Sequence, residues 1–265
     1  MQQPFDQIAI DYDKNFTDTL VGKTQRDLVW SYLEKVLKVK KITNVLEINC
    51  GTGEDALWLS QKGLNVIATD ISEKMIESAN FKEKNNLNLV FQVADFQYIS
   101  SFFPNKKFDL IFSNFGGINC TSPSNLRDWL NIEIPKMLNP NGSLILVIMP
   151  NFCLIESIYF LGKLQFKNIF RRLSKKPLEA KLDSETSIKT WYYSPKFIKK
   201  HLPKNLEIID IQPIGFFIPP SYLNSFVEKR PNLFKILSKL EKNVNLYSFL
   251  ANFSDHYLID IQMKK

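Results

Sequence analysis

The chain has 265 residues, enough for one large domain or for a domain with a substantial insertion. Hydrophobic residues make up 45% and charged residues 23%, which excludes a disordered or low-complexity chain and fits an ordinary packed core. The formal charge of +7 suits an anionic partner but is also common in lysine-rich proteins that have none. Three scattered cysteines, Cys50, Cys120 and Cys153, exclude a disulfide framework and form no CxxC pair for zinc, so no metal is expected. The opening residues 1–6 lack the basic-then-apolar pattern of a signal peptide. The longest strongly apolar run, 144–149, is far too short to span a bilayer. The expectation is a cytoplasmic protein that contacts lipid peripherally at most.

In chain order, a helical period over 24–37 follows an aromatic-acidic stretch, Tyr12-Asp13-Lys14-Asn15-Phe16. Short β-branched runs then alternate with longer helical ones. Strands are predicted over 44–49, 65–70, 89–94, 108–114 and 143–149, with helices over 54–62, 72–84 and 124–138 between them. Ser72 reads as the N-cap of the second of these helices. Such alternation predicts parallel βαβ units with helices on both faces of one sheet. Both faces then being buried, the strands should be nearly continuous apolar runs, as Leu144-Ile145-Leu146-Val147-Ile148-Met149 is. Past Pro150 the pattern changes. Residues 151–205 are rich in Phe, Lys and Arg with no evident strand; a sixth strand is expected over 206–214 and a seventh over 256–263.

The first strand ends in the turn Glu47-Ile48-Asn49-Cys50-Gly51-Thr52-Gly53. Glycines there let the backbone approach a ligand, and the following helix turns its free amides toward it. Gly51-Thr52-Gly53-Glu54-Asp55-Ala56 also fits the dinucleotide fingerprint, with Asp70 at the right distance for a ribose. Charge separates the candidates. A dinucleotide sets a pyrophosphate over this turn, whereas S-adenosylmethionine sets an amino acid and a sulfonium there, and the Glu47 carboxylate favours the cation. Asp70 is placed to take both ribose hydroxyls. Asp95 is either an acceptor for the adenine amino group, with Phe96 beside it, or a helix N-cap.

Val45-Leu46-Glu47-Ile48-Asn49-Cys50-Gly51-Thr52-Gly53, Ala68-Thr69-Asp70-Ile71-Ser72, Ala94-Asp95-Phe96 and Phe108-Asp109-Leu110-Ile111-Phe112-Ser113-Asn114 together resemble the successive motifs of the class I S-adenosylmethionine-dependent methyltransferases. The resemblance covers about residues 5–150. It departs from the family pattern at Asn49, which replaces the first glycine, and Asn tolerates the positive φ that this position needs. The resemblance implies a seven-stranded, mostly parallel, doubly wound Rossmann-like α/β sheet with an antiparallel last strand and helical lid insertions. It implies one domain over 1–265, with cap helices at 1–40, a cofactor core at 41–150, and lids at 151–205 and 215–255. It places Glu47, Asn49, Gly51 and Gly53 at the methionine part, Asp70 and Ile71 at the ribose, Asp95 and Phe96 at the adenine, and Asn114 beside them. Tyr12 and Phe16 resemble the family's N-terminal lid, with ordinary helix packing as the competing reading.

The acceptor is less determined. After the fourth strand come Phe115-Gly116-Gly117-Ile118-Asn119, without the two prolines that family members acting on base amines carry there. A nucleic-acid partner is therefore not expected, and a small-molecule acceptor is. Methyl transfer to a hydroxyl needs a base with a pKa near neutrality. His201 sits in a basic, loop-like stretch and is expected to be solvated. His256 opens the seventh strand at the sheet's carboxyl edge with Asp255 adjoining, although neighbouring strand residues point to opposite faces; it is either the base or a strand-opening histidine bonded to a loop carbonyl. Asn119, Trp191, Tyr192, Phe217 and Tyr222 are candidate acceptor contacts, the aromatics alternatively forming a small lid core. Tyr192 and Lys196 match a reductase pair, but Pro195 between them breaks the helix that pair requires. The basic stretch 163–181 reads as a lid helix with one solvated face, or as an amphipathic contact for anionic lipid or substrate. O-methylation of an apolar or aromatic molecule is the first reading; an RNA or protein methyltransferase is the second, and an NAD-dependent reductase the third.

Overall fold

The computed structural model describes residues 3–83, 87–183 and 186–264. Among these described residues nine strands form two sheets: β1 Asn44–Ile48, β2 Asn65–Asp70, β3 Leu89–Val93, β4 Phe108–Ser113, β5 Leu138–Ile148, β6 Leu178–Lys181, β7 Ser187–Thr190, β8 Leu206–Ile214 and β9 His256–Met263. The main sheet runs β3-β2-β1-β4-β5-β9-β8. Strands β1 to β5 pair in parallel, whereas β9 is antiparallel to both β5 and β8. Ten helices accompany them: α1 Leu20–Val39, α2 Glu54–Gln61, α3 Glu73–Lys82, α4 Ile99–Phe102, α5 Pro123–Asp128, α6 Ile134–Met137, α7 Leu154–Gly162, α8 Pro195–His201, α9 Asn224–Glu228 and α10 Pro231–Glu241.

Side-chain alternation along β1 divides the core between the sheet's two faces. Val45 packs with Val29, Leu33 and Val36 of α1 and with Ala56 and Leu59 of α2. Leu46 and Ile48 pack on the other face with Leu126 of α5, Trp129, and Ile134 and Met137 of α6. Both faces being covered, each strand must be apolar throughout, which is why period and apolarity located them. The predicted helix over 124–138 is real but interrupted: a π-turn, Trp129–Glu133, joins α5 to α6, where Pro135 removes an amide donor. Thr19 caps α1 by accepting from the Gly22 amide at 3.0 Å, so this helix begins four residues earlier than its apolar period. Ser72 caps α3 as expected, accepting from Met75 at 3.1 Å. The predicted end of that helix at Lys84, like Met1 and Gln2 of the predicted cap, lies outside the described residues.

The insertions depart most from expectation. Residues 151–205 include a two-stranded hairpin, β6–β7, so this lid is not wholly helical. Its strands are short and only half-buried, and their composition gave no strand signal. The basic stretch 163–181 forms no lid helix either. It breaks into 3-10 turns at Phe166–Asn168 and Arg171–Leu173 before entering β6. His201 ends α8 rather than lying in a solvated loop; its Nδ1 is 2.8 Å from the Phe197 carbonyl and its ring packs on Phe197. The second insertion has a small core of its own, Ile218, Val227 and Phe234 around Val21 of α1. Buried Glu241 holds its entry loop by accepting from the amides of Gly215, Phe216 and Phe217. No helix among the described residues is long and apolar enough to cross a membrane.

Leu146 is fully buried between β4 and β9. Leu146→Ala is expected to cost about 3 kcal/mol of unfolding free energy. A denaturant titration showing a loss under about 1 kcal/mol would place this strand outside the core.

Candidate active site

The carboxyl ends of β1, β2 and β4 and the start of β9 open into one cavity of about 870 Å³. The first turn forms its floor. Asn49 adopts φ 56° and Gly51 φ 53°, so the asparagine does take the left-handed conformation that a glycine usually supplies. Its side-chain amide donates to Ser113 at 3.2 Å and packs so closely on Gly117 that a Cβ there would come within 2.4 Å of its own Cβ. Gly53, at φ 80°, opens α2 against Phe91 and, unlike Asn49 and Gly51, does not reach the cavity wall.

Negative charge accumulates around this floor. Glu47 is buried just beneath the residues that line the floor, and its Oε2 has no hydrogen-bond donor. Burial, with Asp55 and Asp70 adding repulsion, pushes its pKa well above the usual carboxylate range, while Arg26 acts against the rise. Asp70 accepts from the amides of Gly51 and Ser72, both at 2.9 Å, and still lines the cavity; burial raises its pKa too. Asp55 is held by Trp30 Nε1 at 2.6 Å and Asn114 Nδ2 at 3.0 Å, with Arg26 Nε 3.2 Å away. Arg26 lines the cavity and lies over the Phe115 ring. Neither Arg26 nor Asp55 was singled out in the sequence. The periodic helix 24–37 was the only signal, and it marked a buried face without saying that an arginine belonged to it.

Asp95 is an N-cap, one oxygen accepting from Gln97 at 2.9 Å at the start of a 3-10 turn, and the residue also lines the cavity. Phe96 and Ile71 line it as well, Phe96 edge-on to Trp129. Tyr12 and Phe16 form part of the roof, their rings 5.5 Å apart. That N-terminal segment is tied down by Asp6 accepting from Ser72 Oγ at 2.6 Å, and by Asp13 accepting from Thr52 Oγ1 at 2.6 Å and pairing with Lys82. Thr186, in the turn of the β6–β7 hairpin, bonds Gln7 and so joins the two covers.

On the opposite wall the predicted acceptor contacts divide. In the extended segment before α8, alternation turns Trp191 and Tyr193 into the core and Tyr192 toward the cavity. Tyr222 lines the cavity; Phe217 does not, because Glu241 fixes its amide and its ring packs on Phe216. Asn119 is not an acceptor contact either. It is fully buried and off the cavity wall, with both side-chain N–H groups donated to the Met149 and Trp191 carbonyls and its oxygen accepting from the Met149 amide. Asn119, Trp191 and Phe217 are therefore corrected to structural residues.

His256 lines the cavity, edge-on to Phe115, and its Nδ1 stands 3.1 Å from Asp255 Oδ2. The alternation that seemed to separate them does not apply, since Asp255 precedes β9 and its carboxylate turns back. Asp255 also accepts from Arg172 Nη2 at 2.7 Å and Gln25 Nε2 at 3.0 Å. Burial opposes its ionisation, yet the His256 imidazole and the Arg172 guanidinium outweigh burial and hold its pKa well below the usual range. Arg171 and Arg172 converge on buried Glu156, and each lies over a cavity tyrosine, Tyr222 and Tyr192 respectively. Sequence reading missed Glu156 and read the two arginines as solvent-facing; the pair's place among Phe170 and Leu173 was the available hint. Among the described residues no group of three side chains suited to a metal comes together.

A doubly wound sheet with its ligand cavity at the switch point and three acids on successive strand ends defines a nucleotide-type cofactor enzyme of the Rossmann-like class. The methyltransferase-domain family matches residues 45–142. The chain is 26% identical over 139 residues to the putative methyltransferase YqeM of Bacillus subtilis, a match covering 52% of this chain and 55% of that one. It is 27% identical over 215 residues to malonyl-[acyl-carrier protein] O-methyltransferase 1 of Ilyobacter polytropus, covering 80% and 67%. The first of these matches thus spans about half the relative's length. An S-adenosylmethionine-dependent methyltransferase from Clostridium acetobutylicum shares the fold at TM-score 0.58 and 17% identity, over 99% of this chain and 100% of that one. Residues 45–142 thus carry a methyltransferase domain, and the whole chain has the fold of S-adenosylmethionine-dependent methyltransferases, which favours the methyl donor over the dinucleotide reading of the turn.

The donor set fits that cofactor. Glu47, a buried carboxylate lacking a donor, suits an ammonium group, Asp70 has acceptor valences left for ribose hydroxyls, and Arg26 suits a carboxylate. Glu47→Gln is expected to weaken S-adenosylmethionine binding by about ten-fold or more, the worth of one charged hydrogen bond. Because the raised Glu47 pKa must fall when a cation binds, cofactor uptake should release a proton between the bound-state and free-state pKa values, and affinity should climb with pH up to the free-state pKa and level off above it. Calorimetry in buffers of different ionisation enthalpy measures both; wild-type affinity and proton release in the Gln variant would remove Glu47 from this role.

Proposed function

We propose that this protein transfers the methyl group of S-adenosylmethionine to the hydroxyl of a small apolar or aromatic acceptor, with His256 as general base. The observation carrying this reading is the His256–Asp255 pair at 3.1 Å, facing the same covered cavity as the acidic floor. When bound, the cofactor supplies a methyl group already activated on a sulfonium. The remaining task for the protein is alignment and removal of one proton.

Asp255, kept ionised by Arg172, faces the Nδ1 side of the imidazole. A proton carried on Nδ1 leaves Nε2 as the acceptor for the hydroxyl proton. Phe115, edge-on to the ring, limits its rotation. The N-terminal segment, the hairpin and the loop carrying Tyr222 cover the cavity, which favours a compact acceptor and excludes water that would compete for the methyl group. Leu178, Ile188, Tyr192 and Tyr222 supply apolar and aromatic wall. The malonyl-[acyl-carrier protein] O-methyltransferase named above is an oxygen-directed relative, which supports oxygen as the methylated atom. The arginines that had suggested an RNA or protein acceptor are turned inward to Glu156 and Asp255 and are not free for phosphates.

His256→Asn is expected to lower turnover at least about 100-fold while changing S-adenosylhomocysteine affinity less than about two-fold. The assay is S-adenosylhomocysteine release with a panel of phenols, enols and carboxylic acids. Undiminished turnover in the variant would end the base assignment. Activity confined to RNA or protein acceptors would overturn the small-molecule reading.

A further inference from the structure

The surface formed by the start of the first insertion and the end of the second combines exposed apolar side chains with unopposed positive charge. Between Glu156 and Glu179, and again between Glu241 and Asp255, the chain contains no Asp or Glu. Over those stretches Leu164, Phe166, Leu246 and Phe249 are 74%, 63%, 78% and 62% exposed. Ile158, Leu161, Phe170 and Phe253 are exposed beside them. The two stretches adjoin: the Leu154 amide donates to the Phe253 carbonyl at 2.8 Å, and Phe152 packs on both Phe170 and Phe253. Arg171 and Arg172 are neutralised inward, but Lys163, Lys167, Lys175, Lys176 and Lys242 all stand exposed.

Leu164 adds an independent observation. It ends α7 at φ 56°, with the Gln165 amide returning to the Phe160 carbonyl at 2.9 Å. This is the left-handed helix-ending position that Gly or Asn occupies at least cost. Here a leucine sits in it with its side chain in solvent, so neither backbone preference nor burial accounts for the residue.

We propose that this face docks on a bilayer containing anionic lipid, with Leu164 and Phe166 entering the headgroup boundary and the flanking lysines meeting lipid phosphates. Apolar side chains at the interface contribute in proportion to the area they bury, and each lysine adds electrostatic attraction. The complementarity selects the partner: two adjoining acid-free stretches with exposed apolar side chains and five exposed lysines match a negatively charged membrane, whereas a second copy would set those lysines against one another. The proposal stands apart from the acceptor reading, since vesicle binding is measured without any acceptor and its failure leaves the His256 assay unaffected.

The full-length protein is to be sedimented with phosphatidylcholine vesicles, with and without phosphatidylglycerol, at low and high salt. Binding is expected only with phosphatidylglycerol and should weaken as salt rises. Leu164→Asn should weaken binding about ten-fold, the worth of one large apolar side chain, while leaving the thermal melt unchanged or higher. Phe166→Ser should act similarly without relieving any backbone strain, and Lys163→Glu with Lys167→Glu should abolish binding. Absent binding, equal binding to both vesicle types, or binding indifferent to both Leu164→Asn and Phe166→Ser would overturn the proposal. So would light scattering that shows a dimer dissociated by Leu164→Asn without vesicle binding, which would assign the face to a second copy.

Discussion

A carboxylate sealed from water must be met by charge or by donors, and at Asp255 the partners are two distant parts of the chain and the neighbouring residue. Gln25 reaches it from α1, Arg172 from the first insertion, and His256 from the strand that follows. Its amide donates to the Gly215 carbonyl, where the second insertion begins. The group is therefore a junction as much as a catalytic accessory. Removing Arg172 would leave Asp255 buried without its arginine and take from buried Glu156 one of its two guanidinium partners, a change that costs far more than a surface ion pair. The covers over the cavity and the orientation of the imidazole thus depend on the same buried charges.

The floor of the cavity is built in the opposite way. There Glu47, Asp55 and Asp70 are drawn together at the strand ends with Arg26 as the cation among them, and Glu47 keeps an acceptor atom with no donor. At Asp255 the protein completes its own charge balance; at Glu47 it leaves part of that balance to a ligand. Preorganisation of this kind stores unfavourable electrostatics in the free protein and releases them on binding a cation. The contrast separates a positioning carboxylate from a ligand-binding one without reference to any motif.

The same distinction explains what could be read from the sequence. β2, β8 and β9 have the predicted bounds, and the remaining strands of the main sheet were located, the central parallel ones because burial on both faces calls for continuous apolar runs. The turn and the acids Glu47, Asp70 and Asp95 were legible because strand-end residues occupy the ligand edge by topology alone. Arg26, Asp55, Glu156 and the inward arginines were not, since each acquires its role from a partner far away in sequence. Asn119 misled for the same reason: a polar residue after a strand end looks like a ligand contact until its three hydrogen bonds to the chain are seen. The β6–β7 hairpin, four residues per strand and half-solvated, carries too little periodicity to stand out.

Tyr192 and Tyr222, which face the acceptor space, are held by Arg172 and Arg171, and those arginines share Glu156. Arg172 in turn sets the charge state of the carboxylate beside His256. A substitution that reshapes the acceptor wall therefore disturbs the proposed base, and one that disturbs the base loosens the wall. On the proposed roles, one guanidinium links the acceptor wall to the base, so acceptor selectivity and proton removal are expected to respond together. The cofactor floor, joined to this network chiefly through α1 and Phe115, is free of that coupling. A fixed cofactor motif can thus coexist with an acceptor wall whose identity resides in contacts between remote segments, where no local pattern records it.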